Sequence, residues 1–234
     1  MSPGRPDHRF RCLAAAVAAL MLIAAARESH AAGGAFMVDD SEIGAPGECK
    51  VESWAAFASN HDFIGVAAPA CVFSFGRPVE IGAQFVRFRS GGEWATDLLL
   101  KGKTSLIPLR DGKIGVGAIL GGAYNFTRSE MVAAFGTLPF SFQASEQLRI
   151  NLNVGFIRDL VETRTITTWG AGADFSMTSK ITLIGEVFGF NSETGAQAGI
   201  RYTPHEKIDF DLIYGRNLTG ERANWVTFGV NLRF

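Results

Sequence analysis

In the stretch Asn224-Trp225-Val226-Thr227-Phe228-Gly229-Val230-Asn231-Leu232-Arg233-Phe234, apolar residues fall at every second position. Val226, Phe228, Val230, Leu232 and Phe234 share one face; Trp225, Thr227, Gly229, Asn231 and Arg233 share the other. Successive side chains leave a strand on opposite sides, so period two over this length predicts a β-strand with one apolar face.

The same alternation returns upstream. At 207–215, Ile208, Phe210, Leu212 and Tyr214 oppose Asp209, Asp211 and Gly215. It recurs at 168–177 and 147–157, and less regularly at 79–88, 94–107, 113–126, 131–143, 181–190 and 196–203. Two further segments, 50–59 and 69–75, have poorly separated faces. Turn-forming clusters such as Gly76-Arg77-Pro78, Ser90-Gly91-Gly92 and Pro204-His205-Glu206 lie between them. No segment sustains a helical period. The expectation is an all-β, antiparallel up-and-down meander of about twelve strands, or ten if 50–75 folds separately.

Alternation does not say which face is inside. A soluble barrel turns its apolar set inward; a transmembrane barrel turns it outward. Here the polar set is rich in glycine, which suits a crowded lumen. Apolar-face aromatics gather toward strand ends: Trp94, Tyr124, Phe126, Phe156, Trp169 and Tyr214 at one, and Phe140, Phe142, Phe175, Tyr202 and Phe234 at the other. Two such girdles are what interfacial anchoring predicts. The expected fold is therefore a transmembrane β-barrel with both termini on one side.

Composition agrees. The chain has 234 residues, 47% hydrophobic, which argues against disorder, and a net charge of −1, which argues against nucleic-acid binding. Four His and three Cys leave little material for metal or nucleophile chemistry. Arg5, Arg9 and Arg11 precede an apolar run from Leu13 to Ala26 and then Ser29-His30-Ala31, the pattern of a cleaved secretory leader. The expected organisation is a signal peptide at 1–31, a periplasmic N-terminal segment at 32–49 and a barrel at 50–234.

The pattern Phe228-x-Val230-x-Leu232-x-Phe234 resembles the assembly signal of bacterial outer-membrane β-barrels of the porin-like kind. That resemblance implies residence in the outer membrane, with lipid and lipopolysaccharide around the barrel, and periplasmic chaperones and the outer-membrane assembly machinery as partners. A looser resemblance, carried by Pro69-Ala70-Cys71-Val72-Phe73-Ser74-Phe75-Gly76 and Val79-Glu80-Ile81-Gly82, is to barrels of the MetA-pathway-of-phenol-degradation family, whose members are thought to pass organic substrates.

On the inward face the pattern places the acids Glu80, Asp97, Asp174, Glu186, Asp209 and Asp211 and the bases Lys101, Lys103, Arg149, Arg201 and Arg233. Near-balanced charge on opposing walls fits a narrow pore for passive diffusion of small solutes. It also fits a lumen closed by mutual ion pairs, leaving a structural or surface-interaction barrel. For that alternative the expected outer rim supplies Arg87, Arg89, Arg128, Arg158, Arg164, Arg216 and Arg222, and arginine grips lipopolysaccharide phosphate bidentately. Ser59, His61 and Asp62 are the only local trio with nucleophile chemistry, and adjacent residues at a strand end point apart. No catalytic residue, metal or cofactor is expected. Cys49 and Cys71 are free to form a disulfide in an oxidising compartment. With strands at 50–59 and 69–75, however, they lie at different heights, beyond the roughly 7 Å Cα limit for a bridge.

Overall fold

The computed structural model describes residues 34–109 and 114–234, so the expected leader lies outside the described residues. Twelve strands follow one another: β1 (Cys49–Ala58), β2 (Phe63–Ser74), β3 (Pro78–Ser90), β4 (Glu93–Ile107), β5 (Ile114–Asn125), β6 (Glu130–Gln143), β7 (Leu148–Asp159), β8 (Arg164–Ser176), β9 (Ile181–Phe190), β10 (Glu193–His205), β11 (Ile208–Asn217) and β12 (Asn224–Arg233). Each pairs antiparallel with its sequence neighbour, and β12 pairs with β1 from Lys50↔Arg233 to Ala58↔Trp225, closing the barrel. Closure leaves no strand edge, so the ladder satisfies backbone groups without water.

Burial is inverted relative to a soluble protein. Leu120, Phe228 and Phe234 are each more than half exposed, whereas Asp209, Asn151 and Ser141 are 1% exposed. Such an exterior is at home in hydrocarbon, and the interior carries the polar groups. Trp94, Phe126, Phe156, Trp169 and Tyr214 are exposed toward one end, and Phe142, Phe175, Tyr202 and Phe234 toward the other. Below, the near end is the one where β1 starts and β12 finishes; the far end carries the connections at 59–62, 91–92, 126–129, 160–163, 191–192 and 218–223.

The chain departs from expectation at β2, which starts at Phe63 rather than at 69. Residues 63–68 are apolar on both faces, because Val66 and Ala68 pack inward with Val86, Trp54, Ile64 and Phe88. Alternation is thereby erased. The earlier start leaves a tight turn at 59–62, with His61 at φ 69°, and sets Cys49 opposite Cys71. Their Cα atoms are 4.1 Å apart and the side chains form a disulfide, so the separation expected from the shorter strand is corrected. Cys49 also exchanges two backbone hydrogen bonds with Phe234, placing the bridge beside the closing seam.

Residues 32–49 are expected to form a periplasmic N-terminal segment ahead of the barrel. Its described part begins inside. Ala35, Phe36, Val38, Asp40 and Ser41 are buried among inward-facing strand residues, and the chain reaches the near rim through 45–48 before entering β1.

Candidate functional site

Strand pleat decides which side chains meet in the lumen. Glu80 on β3, Lys103 on β4, Arg149 on β7, Asp174 on β8, Glu186 on β9, Arg201 on β10 and Asp209 and Asp211 on β11 are all buried. Lys101, Asp97 and Arg233 are intermediate. Asp97 is set apart at the far end, where its carboxylate accepts from Asn125 Nδ2 (2.6 Å). The others face the near-end and middle lumen.

Half of this ring neutralises itself. Arg201 donates to both carboxylate oxygens of Asp211 (2.7 and 2.9 Å), and Arg233 to both of Asp209 (2.6 and 3.0 Å). Such bidentate pairs match the planar fork of the guanidinium. Lys50 lies 3.2 Å from both Glu52 and Glu80.

The other half is completed by the N-terminal segment. Glu186 accepts the backbone N–H groups of Met37 (2.9 Å) and Val38 (3.1 Å), while Gln197 Nε2 donates to the same carboxylate (2.7 Å). Asp40 reaches Lys103 (2.9 Å) and Arg149 (3.7 Å), and Glu42 reaches Arg149 (2.7 Å). The Ser41 N–H donates to Ser141 Oγ (2.9 Å), which continues through Asn151 to Asp174. Burial works against the charged form of Asp39, but Lys103, Lys101 and Lys50 around it outweigh this and hold its carboxyl below the usual carboxylate range.

Inward glycines, Gly115, Gly117, Gly170 and Gly172 among them, make the room. A Cβ on Gly170 would stand 2.9 Å from Val38 Cγ2, and one on Gly117 would stand 3.2 Å from the Ser41 backbone. The volume these glycines free is therefore filled by the chain itself. Sequence reasoning missed Asp39, Asp40, Glu42, Lys50 and Glu52 as lumen residues.

The segment divides the lumen. Toward the near end lies a charged vestibule of about 370 Å³ whose walls include Glu48, Lys50, Glu80, Lys207, Asp209 and Arg233. Toward the far end lies an apolar chamber of about 360 Å³ walled by Trp54, Ala56, Ile64, Phe88, Phe188 and Trp225, with Met37 beneath.

The rim arginines all sit on or beside the far-end connections. Arg87 and Arg89 share the face of Trp94 (4.9 and 5.5 Å to the ring centroid). Arg164 pairs with Glu162 at 2.8 Å and Arg158 donates to Thr165, while Arg128 stands exposed at 126–129 and Arg216 and Arg222 stand exposed at the 218–223 connection. The rim is thus a distributed set rather than a single cluster. His61 and Asp62 build the first turn: the His61 carbonyl accepts from Arg89 and the Asp62 carboxylate accepts from the Gly91 N–H. Phe228, Val230, Leu232 and Phe234 line the outer face of β12, beside the seam with β1.

An apolar exterior around a charged interior, closed over twelve strands, defines the class as a membrane-type β-barrel. Within that class, the chain belongs to the family described as Uncharacterised conserved protein UCP029691, whose model matches residues 19–234. No curated protein matches the sequence. Solved structures are similar in fold: the KdgM porin (TM-score 0.63, 9% identity, 79% of this chain and 99% of that one); the NanC porin (0.60, 11%, 78% and 98%); and the COG4313 outer membrane channel from Pseudomonas putida F1 (0.62, 12%, 85% and 100%). At these identities the likeness is one of architecture.

Proposed function

We propose that the protein is an outer-membrane channel for passive diffusion of small solutes, non-enzymatic, with its lumen narrowed by residues 34–44. The observation that carries this reading is the charged wall facing a vestibule that opens at the near end, which the reading assigns to the periplasm. The fold neighbours described as porins and as an outer membrane channel support it. The leader pattern and the terminal Phe228-to-Phe234 alternation support export and insertion by the outer-membrane assembly machinery after delivery by periplasmic chaperones.

The test is single-channel conductance of the refolded full-length mature chain in a planar bilayer. Discrete steps are expected, and Lys101→Glu with Lys103→Glu should alter their ion selectivity. Silence from protein shown to be folded by heat-modifiable gel mobility would favour a second reading, a non-conducting barrel. That reading draws on the complete burial of Val38 and Ser41 inside the lumen. In it, the far-end arginines, from Arg87 and Arg89 round to Arg222, contact lipopolysaccharide phosphates, and replacing them with Gln should weaken lipopolysaccharide co-purification.

A further inference from the structure

The lumen bases differ in what neutralises them. Arg201, Arg233 and Lys50 have acidic partners on the wall itself. Among the described residues, the ion pairs of Lys103 run to the N-terminal segment, to Asp40 at 2.9 Å and Asp39 at 3.6 Å. Arg149 meets Asp174 on the wall (3.4 Å) but makes its shortest pair with Glu42 (2.7 Å). The Asp40 carboxylate therefore sits between an ammonium from β4 and a guanidinium from β7.

Both bases are 4% exposed. A cation enclosed to that degree keeps its charge only with an anion beside it. Glu80, the nearest wall acid toward Lys103, is already engaged by Lys50. Arg149 Nη2, moreover, is enclosed and faces Asp40 Oδ2 at 3.7 Å without making a hydrogen bond. This seat holds a carboxylate and has a donor to spare.

We propose that Lys103 and Arg149 form a binding site for a small polycarboxylate, which the chain's own Asp39, Asp40 and Glu42 occupy at rest. An incoming anion replaces Asp40 between the two bases and frees the segment. The two occupants exclude one another, so the solute binds the open state alone and shifts the population toward it. A polycarboxylate fits better than a monocarboxylate because three acidic groups of the segment meet this wall. The guanidinium reads planar carboxylate geometry, which a halide lacks. The inference rests on the channel reading for its role in transport, but the site itself does not require conduction.

Accessibility of Ser41, wholly buried at rest, tests the site without current. A Ser41→Cys variant of the full mature chain, with the native disulfide intact, is refolded in micelles and labelled with a maleimide. Citrate should raise the labelling rate saturably, by about tenfold or more, with the amplitude set by the binding difference between the two states. Asp40→Asn with Glu42→Gln should label fast without citrate, and Lys103→Gln should blunt the citrate response. A rate flat in citrate overturns the proposal, as does a rise matched by sodium chloride at equal ionic strength or by inorganic phosphate. If Ser41→Cys fails to reach the heat-modifiable form, Val38→Cys reports on the same segment. A barrel that passes no current can still respond to citrate, and a conducting one can fail to, so the two readings fall separately.

Discussion

Glu186→Ala isolates what the backbone latch contributes. The wild-type carboxylate accepts two main-chain donors, Met37 N–H at 2.9 Å and Val38 N–H at 3.1 Å, and Val38 is completely buried. Hydrogen bonds to a charged group contribute about 1.5–3 kcal/mol each. Water can enter the space the side chain leaves, so the low end applies to both, giving about 3 kcal/mol in all. Gln197 is not a ready substitute, because its carbonyl oxygen already accepts from Trp225 Nε1 (3.3 Å). At about 1.4 kcal/mol per factor of ten, the ratio of undocked to docked segment should rise roughly a hundredfold. Maleimide labelling of Ser41→Cys reads that ratio when redocking outpaces labelling. Glu186→Gln, which keeps an acceptor oxygen and loses the charge, should fall between. A change under about threefold, less than 1 kcal/mol by the same conversion, in a barrel with normal heat-modifiable mobility would refute the latch.

Gly170→Val should exclude the segment by crowding Val38; overpacking costs about 1–3 kcal/mol, so labelling at Ser41→Cys should rise about tenfold while the barrel still forms. Replacing Cys49 and Cys71 together by Ser frees a loop of sequence separation 22. Loop-closure entropy limits the loss to about 3 kcal/mol, to be read from urea unfolding in lipid. Arg201→Met should cost about 3–5 kcal/mol in the same assay by stranding buried Asp211, and adding Asp211→Leu should recover most of it.

The outer surface was legible in the sequence because lipid imposes one demand along every strand that crosses it. Phe210-x-Leu212-x-Tyr214 and Phe228-x-Val230-x-Leu232 keep their period whatever stands inside. Where the lumen is also apolar, the contrast between faces vanishes. Trp54, Ala56, Ile64, Val66 and Ala68 point inward toward the far end and Ala70 and Val72 toward the near end, which is why 50–59 and 69–75 read poorly and why 63–68 does not read as strand. At 50–59 that blurring is itself the trace of the far-end chamber. The docked segment left less to read. Asp39-Asp40-Ser41-Glu42 has the look of a solvated acidic stretch, and its strand partners, Lys103, Ser141 and Arg149, lie at least 63 residues away, brought to it only by closure. The hint was spatial: inward glycines at 117 and 170 announced a volume, but not its occupant.

The route by which the segment leaves the lumen sets the terms of any competition for its seat. Residues 45–48 are pinned to the rim, with Gly47 N–H on the Val72 carbonyl and Ala45 N–H on the Glu48 side chain, next to the Cys49–Cys71 bridge. A displaced Asp40 therefore stays within a few residues' reach of Lys103. A group on so short a tether returns as though present at millimolar concentration. A free carboxylate contending for the same bases must match that local concentration. The threshold for opening is thus written in chain length as well as in charge: inserting flexible residues after Pro46 dilutes the resident acid and lowers the solute level at which it yields.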